Sequence, residues 1–171
     1  MLSESPSDQA ERIMLLMCDL YRTAERRERL ETRSYGLTPL QSFALIDIER
    51  AESGSLSMNE AAEGLAVSLS TMTRLADRLV DLKLITRLPV PGDRRGIRIA
   101  LTEEGSRLCA EVTDRYLAIY RQLLEQVPEG ERERFIEQLG QLLEGLKTGL
   151  EKAAAEVSAA TANRVGGEAK Q

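Results

Sequence analysis

The sequence contains no histidine. That absence removes the side chain most often used as a base near neutral pH, and with it any Ser-His-Asp or Cys-His site and the imidazole ligands of zinc. Only two cysteines are present, Cys18 and Cys109. They are too few for a four-cysteine metal site or for the disulfide framework of a small secreted domain, so no metal and no cofactor is expected and both thiols are expected to be reduced. No stretch approaches the ~20 apolar residues of a bilayer span. The opening MLSESPSDQAER lacks the basic segment and apolar run of a secretory signal, so the cytoplasm is the expected compartment and no membrane partner is expected. Positive charge is also in deficit, with 23 basic against 28 acidic residues and a net charge of −5. Such a chain does not coat nucleic acid or an anionic membrane over its whole surface.

What is present is more specific. The 171 residues are 42% apolar and 30% charged, enough for one domain or two closely merged lobes with a core. The charge is uneven. Between Ser68 and Leu101 lie seven basic residues (Arg74, Arg78, Lys83, Arg87, Arg94, Arg95, Arg98) and three acidic ones (Asp77, Asp81, Asp93), so this segment is +4 and the remainder −9. That asymmetry points to one surface facing a polyanion, although a charge run by itself also describes a solvated face.

The punctuation of the chain is mostly helical. Ser5-Pro6-Ser7-Asp8 starts a first helix, with Ile13, Met17, Leu20 and Ala24 at helical spacing, that runs to about Arg33. Thr38-Pro39-Leu40-Gln41 is a capping box opening a second helix, whose apolar face is expected to hold Leu40, Phe43, Ala44, Ile48 and Ala51. Ser57-Met58-Asn59-Glu60 opens a short third helix with Ala61, Ala62 and Leu65 inward. After a tight turn, Ser68 caps a fourth helix with Met72, Leu75, Leu79 and Leu82 buried and Ser70, Thr71, Thr73, Arg74, Asp77, Arg78 and Asp81 outward.

The period then changes. Leu84 to Leu88 and Ile97 to Leu101 read as two strands around a Pro- and Gly-rich turn from Pro89 to Gly96, which makes a β-hairpin with a cationic tip. Thr102-Glu103-Glu104 caps a further helix with the stripe Leu108, Val112, Tyr116, Ile119, Leu123 and Val127. Pro128-Glu129-Gly130 breaks it, and a last helix carries Phe135, Leu139, Leu142, Leu146 and Leu150. From about residue 153 the composition reads as a flexible tail.

A helix, a tight turn, a second helix with short polar residues at its start and a hairpin with arginines at its tip make a winged helix-turn-helix. The fold class is therefore mainly α with a small β-hairpin wing. A helix fits the major groove of DNA and its first turn approaches base edges, which makes Ser68, Ser70, Thr71, Thr73 and Arg74 candidate DNA-binding residues, with Ser68 chiefly a cap. Arg78 is placed to touch phosphate or to pair with Asp93. The wing reaches a neighbouring minor groove, whose negative potential attracts arginine.

The runs LTPLQSFALIDIE and LSMNEAAEGLAVSLSTMTRLADRLVDLKLITRLPVPGDRRGIRIALTEEG carry TRLADRL, the P-x-D-R-R of the wing and a closing LTEEG. Over about residues 37–105 the sequence resembles the MarR family of winged-helix transcriptional regulators. The resemblance implies that Arg95 enters the minor groove with Arg94 beside it, and that Asp93 holds the wing turn and orients the guanidinium. It also implies a homodimer built by interlocked first and last helices: residues 1–36 an N-terminal dimerisation helix, 37–105 the DNA-binding lobe, 106–152 C-terminal dimerisation helices and 153–171 the tail. The expected partners are double-stranded DNA, a second copy and a small aromatic effector that releases DNA, with Met17, Tyr21, Phe43, Tyr116 and Tyr120 as candidate walls of its pocket. Some members respond to thiol oxidation, which makes Cys18 a candidate redox site, although its spacing to tyrosine is not that of the peroxide-sensing branch. Two positions depart from the family: Ala66 in the helix-turn-helix turn and Lys83 after its second helix stand where the family has glycine.

The expectation is a non-enzymatic, sequence-specific regulator of transcription, more specifically a repressor. The alternatives from other classes are a protein-interaction module that uses the winged helix, and a thiol-based enzyme or sensor acting through Cys18.

Overall fold

The computed structural model describes residues 5–90 and 92–168, with side chains described outside 28–33, 93–95 and 158–168. By its internal packing the chain divides into two units, Met1–Arg115 and Tyr116–Gln171.

The first unit begins with helix α1 (Pro6–Tyr35). Its start is a reciprocal cap: the Asp8 amide donates to Ser5 Oγ at 3.2 Å, and the Ser5 amide donates to the Asp8 carboxylate at 3.1 Å. Helix α2 (Pro39–Arg50) opens on the Thr38–Gln41 capping box, with Pro39 in the first turn where its missing N–H costs nothing. Its buried face is Gln41, Ala44, Leu45 and Ile48, and Ser42 is buried beside it, whereas Leu40 and Phe43 are exposed. The expected face is therefore corrected. Gln41 Oε1 accepts the Thr38 amide at 2.8 Å, which gives its carboxamide a partner on the side that also buries Leu45 and Ile48.

A short strand β1 (Ser55–Ser57) follows, which the sequence pattern does not signal. Helix α3 (Met58–Gly64) starts on the Ser57–Glu60 capping box and buries Ala61 and Ala62. Helix α4 (Leu69–Asp81) is capped by Ser68 and buries Met72, Leu75, Ala76 and Leu79. Strands β2 (Ile85–Val90) and β3 (Asp93–Leu101) form the hairpin, and the sheet order β1-β3-β2 is antiparallel throughout. The strands are longer than expected: most of the stretch from Pro89 to Gly96 read as turn is strand, with a register shift at Pro89/Val90. Proline, which lacks an N–H, is tolerated there because β2 is an edge strand and the ladder is already irregular.

Leu45, Ile48, Met72, Leu79 and Ile99 are fully buried and join α2, α4 and β3 in one core with Cys109 of helix α5 (Glu103–Glu125). The two departures from glycine have a direct structural consequence. Ala66 has φ 52 and Lys83 φ 60, so both non-glycine residues occupy the left-handed region. Each costs about 1–2 kcal/mol relative to an unstrained backbone, part of which glycine would return as chain entropy in the unfolded state. Ala66→Gly and Lys83→Gly are each expected to raise stability by about 0.5–1 kcal/mol in urea unfolding. Equal or lower midpoints would mean that the strain is relieved by other contacts.

The second unit holds the end of α5, a single 3-10 turn (Glu129–Glu131) after Pro128, and helix α6 (Arg132–Glu168). Arg132 Nε donates to the carbonyls of Leu124 and Val127 at 3.1 and 3.2 Å, closing the end of α5. The backbone of α6 is helical through 153–168, the stretch assigned to a tail on composition. Along α6, Ile136, Leu139, Leu142, Leu143, Leu146 and Leu150 are all exposed in the protomer.

Candidate nucleic-acid interface

Helix α4 is amphipathic because its apolar residues recur at three and four, which leaves the other side to polar groups. Ser70, Thr73, Arg74, Asp77, Arg78 and Asp81 are all exposed on that side. At its start, Ser68 Oγ accepts the Thr71 amide at 3.2 Å and donates to Thr71 Oγ1 at 2.9 Å. Ser68 is thus the expected cap. Ser70 Oγ lies 3.0 Å from Ser68 Oγ, and Arg74 reaches Thr71 Oγ1 at 3.5 Å, so hydroxyls and guanidinium form one chain along the first turn. Thr71 is only half exposed and its hydroxyl is engaged, which makes it the weakest of the groove-facing candidates. Thr73 Oγ1 donates to the Leu69 carbonyl at 2.8 Å and keeps its acceptor capacity.

The cations of the segment do not form one free surface. Arg87 on β2 pairs with Asp77 on α4 at 2.6 Å, which ties the hairpin to the exposed side of the helix. Arg98 on β3 donates to Ser55 Oγ at 2.9 Å, the Ser55 carbonyl at 2.6 Å and Ser53 Oγ at 3.1 Å, and lies 3.4 Å from Glu60. These two arginines hold the wing in place. Their role was hidden in the sequence because β1, which supplies the partners of Arg98, was not legible. Arg74 and Arg78 have no ion-pair partner among the described residues, and the choice for Arg78 between phosphate and Asp93 stays open, since the side chains of Asp93, Arg94 and Arg95 lie outside the described residues. All three stand at the start of β3, beside the hairpin turn.

Glu60 connects this arrangement to pH. Its carboxylate is held below the usual glutamate value of 4.5, first by the Ser57 amide and hydroxyl and then by Arg98. A depressed folded-state value stabilises the fold above the unfolded value, and that contribution is lost as pH falls through the folded one. The acid limb of the stability curve, measured by urea unfolding from pH 6 to 3, is expected to flatten in Glu60→Gln. An unchanged limb would exclude this carboxylate as a contributor.

Elsewhere, Tyr21 and Phe43 line a cleft of ≈ 180 Å³ between α1 and α2, together with Ala24, Glu25, Arg27 and Pro39. Met17 is not among its lining residues. Tyr116 is buried and Tyr120 is 50% exposed, both in the second unit. Cys18 is exposed on α1, whereas Cys109 is buried and its thiol is pushed up chiefly by burial. A buried thiol of raised pKa is a poor nucleophile. Among the described residues no helix is long and apolar enough to cross a membrane.

Two helices across a tight turn, flanked by a three-stranded sheet whose hairpin stands beside the second helix, define a winged helix-turn-helix. The family model for the MarR family matches residues 35–96. The HTH-type transcriptional repressor MdtR of Bacillus subtilis is 38% identical over 105 residues, covering 61% of this chain and 66% of the repressor. The multiple antibiotic resistance protein MarR of Salmonella typhimurium is 31% identical over 115 residues, covering 66% of this chain and 78% of that protein. The structure of a MarR family protein from Bacillus stearothermophilus superposes with a TM-score of 0.70 at 25% identity, over 84% of this chain and 99% of the other. The chain belongs to the MarR family. Of these relatives MdtR is by its name a repressor of transcription and not an enzyme, in line with the non-enzymatic reading of the sequence.

Proposed function

We propose that this protein is a cytoplasmic, homodimeric repressor that binds a pseudo-palindromic DNA operator through two copies of α4 and the wing. The observation that carries the reading is the outer side of α4, where Ser70, Thr73, Arg74 and Arg78 are exposed together beside a wing braced by Arg87 and Arg98. A helix presenting hydrogen-bonding groups at its first turn suits the major groove, and the Arg94–Arg95 pair at the wing suits the adjacent minor groove. Two-fold symmetry makes the half-sites inverted repeats, and helices entering successive major grooves would place them about one helical turn, ~10 bp, apart. In this reading residues 1–36 and 106–152 form the dimer and residues 37–105 read DNA.

Release by an effector is part of the proposal. What supports this part is the pair Tyr21 and Phe43, which line one cleft between α1 and α2, and an aromatic ligand there would act by favouring the dimer spacing that does not fit the operator.

The test is salt dependence of binding by wild type, Arg74→Ala and Arg95→Ala. A protein that neutralises phosphates loses affinity linearly in log salt, and removing one phosphate contact lowers the slope by about one, whereas removing a base contact relaxes specificity at one position at a cost of about 1–3 kcal/mol. Wild-type slopes near zero, with both variants binding as wild type, would favour the protein-interaction reading of the winged helix.

A further inference from the structure

Leu69 is the first residue of α4 and is 50% exposed. It is not among the residues packed on the core, and Ser68 caps the helix without it. Four residues separate it from Thr73, so the two lie about 40° apart around the axis, at the edge of the hydrogen-bonding side. They are also linked directly, because the Thr73 hydroxyl turns back onto the Leu69 carbonyl. That bond uses the hydroxyl's one proton, so beside Leu69 Thr73 offers a ligand its methyl together with an acceptor. On its other side Leu69 borders a cleft of ≈ 440 Å³, lined by Met58, Val90 and Ile97, the last 44% exposed, and by the polar Ser57, Asn59 and Arg98.

The Leu69 side chain itself has nothing to offer a phosphate or a polar base edge. In the major groove one apolar group marks a single base, the 5-methyl of thymine, and the N-terminal residues of such a helix are the ones that approach base edges. From these observations, and resting on the DNA-binding reading above, we infer that Leu69, with the Thr73 methyl, reads the 5-methyl of a thymine in each half-site. Leu69 is a specificity-determining residue, and the hydroxyls and Arg74 beside it supply the polar contacts.

The experiment uses a duplex selected from a random library by the full-length wild-type protein. Each thymine in it is replaced in turn by deoxyuridine, which removes the methyl and leaves every hydrogen-bonding group. Wild type is expected to lose roughly three- to fivefold in affinity at one thymine per half-site, the worth of burying one methyl. Leu69→Ala should be indifferent at that position, and Leu69→Met should keep the discrimination. Thermal unfolding of the variants separates this loss from misfolding, which would weaken binding at every position alike. If no thymine is sensitive in wild type, or if the sensitive one remains equally so in Leu69→Ala, the inference is overturned while DNA binding stands. If the protein selects no duplex at all, the DNA-binding reading fails and takes this inference with it.

Discussion

Gly105→Ala is expected to destabilise the winged helix by about 3 kcal/mol, the upper end of what overpacking costs, and to lower DNA affinity in parallel. Gly105 lies in the first turn of α5, where a Cβ would fall on the carbonyl oxygen of Leu84. That oxygen cannot move aside freely, because it accepts the Thr102 amide at 3.0 Å. Thr102 in turn donates its hydroxyl to the Lys83 carbonyl at 2.6 Å and accepts the Gly105 amide at 3.0 Å. One knot therefore joins the left-handed end of α4, the base of the hairpin and the start of α5. Since it sets how the wing leaves the helix beside it, strain there reaches the DNA-binding surface. Urea unfolding checks the prediction. A midpoint within error of wild type would show that the backbones do not approach this closely.

The second large effect is expected on α6. Ile136, Leu139, Leu143, Leu146 and Leu150 recur at alternating intervals of three and four, the seam of a helix that packs against another. Leu143 is 49% exposed and Leu146 48% in the protomer. Burying such side chains is worth about 1.5–3 kcal/mol each, and a glutamate in the same place must also be desolvated. If the proposed dimer forms through this seam, Leu143→Glu combined with Leu146→Glu is expected to leave a monomer at micromolar concentration where wild type sediments as a dimer in analytical ultracentrifugation. Loss of the second half-site contact should weaken operator binding by at least ~100-fold, because tethering two sites raises affinity by about that much or more. A dimer that survives both substitutions would place the interface on other helices.

The capping boxes were the most legible parts of this chain, and with them the starts of α1, α2 and α3, since each is a local exchange between residues three apart. The buried side of α4 was equally clear from its spacing. The side of α2 was not, because apolar residues lie on two of its faces and the buried one also holds the polar Gln41 and Ser42. Strand β1 was invisible for a different reason: Ser-Leu-Ser is too short to establish a period, and it is a strand through its pairing with the central β3, where Leu56 sits opposite Ile99. The same long-range pairing brings Ser55 to Arg98, so the division of the cations into those that brace the wing and those that face outward could not be read from the chain. Leu69 passed unmarked because periodicity assigns an apolar residue at a helix start to the core by default.

The most direct test of the central claim is a fluorescence-anisotropy titration of the protein against DNA from upstream of its own gene, with scrambled competitor and Arg74→Ala and Arg95→Ala beside wild type. Wild type is expected to bind in a competitor-resistant, salt-sensitive way, with a loss of roughly 10-fold or more in each variant. Binding that is absent, or that is equally weak for all three proteins on both this DNA and duplexes recovered by genome-wide selection, would contradict it.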